Sequence, residues 1–263
     1  MNNSNGATML KLIDTHCHLD QLDHIETALK NAIDSGVEAI VCVGVDHLSN
    51  LKNLELCQKY SQPKLILALG IHPTEIKPEE IEASLEFIRD NIKKAIAIGE
   101  IGLDFWQKGL KKNPQKKLEQ EEVFRKQLLL AKDFNLPVSI HSRGSWQRCL
   151  EIAKEVGVKK AVFHWYSGPV EILQEILATG FFISCTPALM YSPQHQEAAK
   201  AAPIEKLFLE TDSPIFYGEG ERGFRAEPRD VFKTLQLVAK LKDVPEETVA
   251  KITTDNARAF FNF

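Results

Sequence analysis

The sequence predicts a (β/α)8 barrel of the TIM-barrel class, formed by a single domain that spans residues 1–263. Short runs rich in β-branched residues alternate with amphipathic stretches along the whole chain, and no Gly/Ser-rich linker or low-complexity segment interrupts them. This alternation indicates parallel strands joined by helical crossovers. The length also agrees with a barrel of this class, which typically takes about 250 residues. Eight repeats favour a closed barrel over the alternative, a doubly wound open sheet.

The predicted strands follow the apolar, β-branched runs of the sequence. In chain order they cover residues 10–16, 38–43, 64–70, 95–101, 137–141, 161–164, 181–185 and 206–209. These runs are nearly continuously apolar, as is typical of strands that are buried on both faces in a parallel sheet.

The predicted helices follow stretches with the period of an amphipathic helix. They cover residues 24–35, 49–60, 79–92, 115–134, 144–156, 170–178, 193–201 and 227–242. Residues 245–263 predict one more helix, packed on the outside of the barrel. Pro245, Glu246 and Glu247 give this helix the acidic first turn that helix starts favour.

Charge and composition exclude several classes of protein. The chain has 32 Lys and Arg against 36 Asp and Glu, so no overall positive field is available to hold nucleic acid. The longest apolar stretches, such as residues 40–45, are too short for a signal-peptide core or a membrane span. The five cysteines form no CxxC pair and predict reduced thiols. We therefore expect a cytoplasmic protein without a membrane partner.

Histidines and acids fall at the carboxyl ends of the predicted strands. His16 and His18 are two residues apart, so their side chains share one face of the first strand. The other four residues of this kind are Glu100, His141, His164 and Asp212. Each of them alone has an ordinary structural explanation, such as a cap, a core histidine or a turn. Together they favour a metal site, because the carboxyl ends of parallel barrel strands share one face of the molecule.

The chemistry of these six residues predicts a hydrolase. Nitrogen and oxygen ligands without thiolate suit Zn²⁺, Mn²⁺ or Mg²⁺, and six ligands exceed the needs of one tetrahedral ion. We therefore expect two divalent cations. Such a pair lowers the pKa of a bound water and stabilises the entering and leaving oxygens of a displacement.

The order of motifs along the chain resembles the TatD family of metal-dependent deoxyribonucleases. The motifs are LIDTHCHLD (residues 12–20), GIHP (70–73), IGEIGLD (98–104), PVSIHSR (137–143), HWYSG (164–168), LETDSP (209–214) and EP (227–228). The first and the LETDSP blocks are the most specific. The resemblance implies a distorted (β/α)8 barrel of the wider amidohydrolase group. It also implies a divalent-metal-dependent nuclease, and the family includes 3′–5′ exonucleases.

The resemblance also implies roles for individual residues. One metal would be bound by His16, His18, Glu100 and Asp212, and a second by Glu100, His141 and His164. Glu100 would bridge the two metals, where relatives in the wider group often use a carboxylated lysine. Asp212 would be both a ligand and the acceptor of the proton from the attacking water.

The sequence departs from the family pattern at two places, and neither contains a ligand. HWYSGP stands where HCFSG is more usual, and GERGFRAEP is a looser form of the arginine-containing RG…NEP segment. Both departures concern contacts with the substrate rather than the chemistry.

Substrate contacts are predicted from charge and position. Candidates for binding a phosphodiester are His72, Arg143, Arg222 and Arg225, together with Lys108, Lys111 and Lys112. Phe105, Trp106, Trp165 and Tyr166 either stack on unpaired bases or belong to the rim of the core. The remaining histidines, His24, His47 and His195, are predicted to be surface or capping residues.

These observations predict a hydrolase of the phosphodiester bonds of DNA, acting on single strands or frayed ends and as a 3′–5′ exonuclease. Two alternatives stay open. In the first alternative, the same barrel hydrolyses C–N, ester or aminoacyl-RNA bonds. In the second, the protein is a non-catalytic scaffold that the metals only stabilise. The complete ligand set argues against the scaffold, because a structural site needs four ligands and no second ion.

Overall fold

Eight parallel strands form one barrel-like sheet in the computed structural model, which describes residues 9–110, 113–220 and 223–263. The strands are β1 (Leu12–Cys17), β2 (Val37–Val43), β3 (Lys64–Leu69), β4 (Ala97–Gly102), β5 (Val138–His141), β6 (Ala161–Phe163), β7 (Phe182–Cys185) and β8 (Leu207–Leu209). Each strand pairs in parallel with the next along the chain. The predicted fold class is confirmed.

Helices connect the strands and surround the sheet. They are α1 (Ile25–Asp34), α2 (His47–Lys59), α3 (Ile81–Asn91), α4 (Pro114–Asp133), α5 (Trp146–Val156), α6 (Val170–Ala178), α7 (Pro193–Ala201), α8 (Val231–Lys242) and α9 (Glu246–Phe261). A short hairpin follows β8, formed by β9 (Phe216–Tyr217) and β10 (Phe224–Arg225). Within the described residues, no helix is long and apolar enough to cross a membrane.

Local side-chain caps explain where several helices begin. Asp46 caps α2 by accepting a hydrogen bond from the backbone N–H of Ser49 at 2.8 Å, so the helix starts two residues before the predicted position. α8 also differs from its prediction, because Glu227 and Asp230 form a reciprocal capping box around a 3-10 turn, and the α-helix starts only at Val231.

The core has two layers because strand residues alternate between the two faces of the sheet. Outward-facing residues pack against the helices. Inward-facing residues, among them Ile13, Val41 and Phe208, pack together with Phe260 and Phe261 of α9. The end of α9 therefore packs against the inner layer of the barrel, a contact that the prediction of a helix on the outside did not include.

The seam between the first and last strands is closed by the segment that follows β8. The N–H of Asp212 donates to the carbonyl of His16 at 2.9 Å, and the N–H of His18 donates to the carbonyl of Ser213 at 2.8 Å. Cys17 and Ser213 form a parallel bridge at the same place. These backbone hydrogen bonds bring Asp212 beside His16 and His18.

Candidate metal centre

Four polar atoms from three parts of the barrel converge at the carboxyl end of its strands. The Nε2 atom of His16 lies 3.3 Å from Glu100 Oε2 and 3.5 Å from Asp212 Oδ1. The Nε2 atom of His18 lies 3.5 Å and 3.3 Å from the same two oxygens. All four residues are buried. The two imidazoles and two carboxylates therefore surround one point.

The spacing of these atoms fits a divalent cation. Tetrahedral ligands that bind zinc at about 2.0–2.2 Å lie about 3.3–3.6 Å from one another. Each of the two imidazole nitrogens lies at such a distance from each of the two carboxylate oxygens. Within the described part of the chain, His16 Nε2 and Asp212 Oδ1 are buried without a hydrogen-bond partner. A buried polar atom without a partner is costly, and a cation would satisfy both atoms.

A second cluster shares Glu100 with the first. Its other carboxylate oxygen, Oε1, lies 2.7 Å from His141 Nδ1, 2.7 Å from His164 Nε2 and 3.3 Å from His72 Nε2. The two ring nitrogens of His141 and His164 are 3.3 Å apart. Glu100 therefore directs one oxygen into each cluster, as a bridging carboxylate does.

Buried carboxylates stand behind the histidines of the second cluster. Asp104 Oδ2 lies 3.4 Å from the far nitrogen of His141, and Glu210 Oε1 lies 3.4 Å from the far nitrogen of His164. Outer carboxylates of this kind fix the orientation of an imidazole and make it a better ligand. Both carboxylates are almost completely buried, so solvent screens their charges much less than it would at the surface.

Asp212 adopts a left-handed backbone conformation, with φ of 50°, which is uncommon for a residue other than glycine. The preceding residue is held firmly, because Asp14 accepts hydrogen bonds from the Thr211 N–H at 2.9 Å and the Thr211 hydroxyl at 2.5 Å. Asp14 is fully buried. This contact stabilises the backbone geometry that presents Asp212 to the two histidines.

The charges in the cluster shift several pKa values. Burial acts to raise the pKa of Glu100, but the neighbouring imidazoles of His164, His72 and His16 hold it well below its usual range. Burial acts to lower the pKa of His18, but the adjacent carboxylate of Asp212 and the charge of Glu100 outweigh burial and raise it to about 9. Both shifts favour the ionised form of the carboxylates, which is the form that binds a cation.

The cluster forms the floor of an open cavity of about 460 Å³. Arg143 lies at the wall of this cavity, and its Nε and Nη2 atoms donate to the carboxylate of Asp104, at 2.7 Å for the closest contact. The side chain of Arg143 is 54% exposed. His72 also lines the cavity and belongs to the second cluster by distance.

Other residues that the sequence singled out lie elsewhere. Arg225 is on β10 and pairs with exposed Asp23 at 3.2 Å, outside the lining of the cavity. Arg222, Lys111 and Lys112 lie outside the described residues. Lys108 is exposed.

The aromatic candidates divide into two groups. Trp165 lines the cavity. Trp106 is 58% exposed and contacts Trp146 edge to face, outside the cavity lining. Tyr166 is completely buried and donates its hydroxyl to the carbonyl of Pro169, so it belongs to the core. Phe105 is half-buried and packs against the core.

The prediction that His195 is a surface or capping residue is wrong. The side chain is fully buried, its Nδ1 atom lies 2.7 Å from the Tyr166 carbonyl, and its Nε2 atom accepts from the Thr186 N–H at 3.1 Å. His24 is exposed before α1, and half-buried His47 is the first residue of α2.

Sequence reasoning missed the buried supporting residues. Asp104 stands two residues after β4, and Glu210 and Thr211 separate β8 from Asp212. A detectable signal was available for all of them, because polar residues directly after buried strands occupy the same end of the barrel as the ligands. Trp146 and Tyr191, which line the cavity, were also missed.

An eight-stranded parallel barrel with a histidine–carboxylate cluster at the carboxyl ends of its strands defines a metal-dependent hydrolase. The sequence profile of the family described as "TatD related DNase" matches residues 13–262. The chain therefore belongs to this family, and it is a hydrolase that acts on ester bonds.

Individual relatives are similar over nearly the whole chain. Deoxyribonuclease TATDN3 of Homo sapiens is 31% identical, and the alignment covers 97% of this chain and 96% of the human protein. The metal-dependent hydrolase YabD of Bacillus subtilis is 34% identical, with 95% and 98% covered. The crystal structure of YJJV, a TatD homologue of Escherichia coli, has a TM-score of 0.87 at 26% identity and covers 97% of this chain and 99% of its own.

Proposed function

We propose that the protein hydrolyses phosphodiester bonds of DNA with two divalent cations, Mg²⁺, Mn²⁺ or Zn²⁺, and acts as a 3′–5′ exonuclease on single strands or frayed ends. The main support is the double role of Glu100, whose two oxygens each face a separate set of imidazoles. Support for DNA as the substrate comes from membership of the TatD related DNase family and from the human relative named a deoxyribonuclease.

Two overlapping ligand sets would hold the cations. The proposed ligands are His16, His18, Glu100 and Asp212 for one cation, and Glu100, His141 and His164 for the other. Bound there, the cations would supply positive charge against the phosphate and lower the pKa of a water molecule.

Asp212 is proposed as the acceptor of the proton that the attacking water loses. Burial acts to raise the pKa of Asp212, but the adjacent imidazole of His18 and the charges of His16 and His164 lower it. The carboxylate is therefore ionised at neutral pH and able to accept a proton. Its left-handed backbone, braced through Thr211, holds the side chain in one position for this step.

Arg143 is proposed to bind a phosphate oxygen of the substrate. Asp104 holds the Nε and Nη2 atoms of the guanidinium, while the side chain stays half exposed at the cavity wall. A guanidinium that is fixed along one edge keeps its remaining donors directed and loses little freedom on binding. His72 is proposed to contact the same phosphate or to orient the water, since it lies within the cluster.

Contacts farther along the DNA strand are proposed for Arg222 and Arg225. Arg225 is 55% exposed and its pairing with Asp23 is a surface ion pair, which a phosphate replaces at little cost. A cytoplasmic location and a single domain over residues 1–263 are part of the same proposal. The location is supported by the five cysteines, all of which are free thiols.

The proposal is tested with purified protein, single-stranded DNA labelled at the 5′ or the 3′ end, and added Mg²⁺, Mn²⁺ or Zn²⁺. We expect stepwise shortening from the 3′ end, and loss of metal and of activity in Glu100→Gln and Asp212→Asn. Asp255→Asn is the matched control, because Asp255 is an exposed acid on α9. Metal-replete wild type that leaves DNA intact but cleaves a C–N, ester or aminoacyl-RNA substrate would overturn the proposal.

A further inference from the structure

Three aromatic side chains line the cavity above the cluster, and the proposed chemistry uses none of them. They are Trp146, the first residue of α5, Trp165, which follows β6, and Tyr191, which precedes α7. Trp146 follows β5, which ends at His141, Trp165 follows His164 after β6, and Tyr191 follows the neighbouring strand β7. An apolar, aromatic wall next to a charged floor is suited to a ligand that has both a flat ring and an anionic group.

The indole of Trp146 is held in place by its neighbours. Gly168 allows close approach, because a Cβ atom at this position would come within 2.7 Å of the indole ring. Trp106 contacts the same ring edge to face, with centroids 5.5 Å apart and planes at 90°. Tyr166 packs against it from the core side. Such a fixed ring provides contact area and loses little conformational entropy when a ligand binds.

Trp165 is held just as firmly, through its backbone. Its φ of 42° is uncommon for a bulky residue. Its N–H donates to Glu210 Oε1 at 2.9 Å and lies 3.0 Å from Ser184 Oγ, and its ring packs against Tyr217. The same oxygen of Glu210 faces His164. One buried carboxylate therefore fixes a candidate metal ligand and an aromatic wall residue together.

Tyr191 is the third aromatic residue that lines the cavity. Tyr191 is 52% exposed, although large aromatic residues are usually buried. An exposed aromatic ring at the rim of a cavity provides a surface on which a flat ligand stacks.

We propose that Trp146, Trp165 and Tyr191 form a subsite for an unpaired nucleobase of the nucleotide at the scissile phosphate. This inference rests on the proposed function, because it needs a nucleic acid strand. Every base has a π-face, so stacking on these rings would hold any of the four bases and would read no sequence. A base stacked in the cavity has left its duplex partner, which explains a preference for single strands or frayed ends.

The subsite is tested by removing the base instead of the phosphate. Three fluorescent oligothymidylates are compared. One is intact, and in the other two an abasic tetrahydrofuran analogue replaces the two terminal nucleotides at the 3′ end or at the 5′ end. Stacking contributes about 1–3 kcal/mol per base, so we expect wild type to cleave the intact oligonucleotide about 5- to 150-fold more efficiently than the oligonucleotide that is abasic at the cleaved end.

Variants connect this preference to the aromatic wall. Trp146→Leu and Tyr191→Leu keep an apolar side chain but lose the ring, so each should lower kcat/KM on the intact oligonucleotide. The loss on the abasic oligonucleotide should be at least fivefold smaller. Tyr191→Leu changes an exposed side chain and therefore serves if Trp146→Leu does not fold. Phe134→Leu, an exposed aromatic at the end of α4, is the matched control and should behave as wild type on both.

Equal cleavage of intact and abasic oligonucleotides by wild type would overturn the subsite while leaving the nuclease intact. The same conclusion would follow if both ring-less variants kept the wild-type preference for bases. If metal-replete wild type cleaves neither oligonucleotide, the proposed function itself fails, and the subsite fails with it.

Discussion

The burial of His195 predicts a specific dependence of stability on pH. Its Nδ1 atom donates to the Tyr166 carbonyl and its Nε2 atom accepts from the Thr186 N–H, so the ring is neutral in the folded protein. Burial lowers the pKa of this histidine from 6.5 to about 4, although the Tyr166 carbonyl and the charge of Glu210 act in the opposite direction. Below pH 6.5 His195 is therefore protonated in the unfolded chain but stays neutral in the folded protein, and stability is lost as the pH falls toward 4.

The size of the effect follows from these two pKa values. Between pH 7.5 and pH 5.0 the linkage relation gives a loss of about 2 kcal/mol in the free energy of unfolding from this residue alone. Urea denaturation of the chelator-treated proteins at both pH values measures the free energy of unfolding. We expect wild type to lose about 2 kcal/mol more than His195→Gln between pH 7.5 and pH 5.0. Comparing the two proteins cancels the other titrating groups. Equal losses in both proteins would refute the assignment of a buried, neutral His195.

Three further changes have expected outcomes. Glu210→Gln should lower metal affinity about 10- to 100-fold, because it removes the carboxylate behind His164. The control Glu205→Gln changes an exposed residue and should leave the affinity unchanged. Isothermal titration with Mn²⁺ or Zn²⁺ compares the two variants. Metal binding should release a proton from His18, whose pKa is about 9 without metal, so metal affinity should rise with pH up to about 9. Calorimetric titration in two buffers of different ionisation enthalpy measures the proton release. Gly168→Ala should cost about 1–3 kcal/mol of stability, seen as a lower midpoint in urea, because the new Cβ would meet the indole behind it. An unchanged affinity, a binding enthalpy independent of buffer or an unchanged midpoint would contradict the corresponding prediction.

The ends of the strands were predictable from sequence because two periodic signals coincide there. A buried parallel strand is an apolar run, and a polar residue that closes such a run must lie at the carboxyl face of the barrel. His141 and Glu100 show this plainly, since they end the apolar runs PVSIH and AIAIGE. The structure brings both side chains within 2.7 Å of each other.

Pairings between distant parts of the chain could not be predicted in the same way. Arg225 was expected at the mouth because it follows the Asp212 strand end, but its partner Asp23 lies 202 residues away in sequence. His195 was expected to be a surface or capping residue because it lies away from the strand ends, yet its side chain contacts a backbone carbonyl and a backbone N–H in the interior. Such contacts depend on the tertiary packing of segments that are distant in sequence, which leaves no local sequence signature.

The seam has a consequence for when the enzyme becomes active. Its two backbone hydrogen bonds join residues near the start of the chain to Asp212 and Ser213, so the first ligand set is incomplete until the last strand has docked. During synthesis, a nascent chain that ends before Asp212 carries four imidazoles and a glutamate but lacks the aspartate that would accept the proton. Under the proposed function, a growing polypeptide would be unable to cut nucleic acid until ring closure is complete.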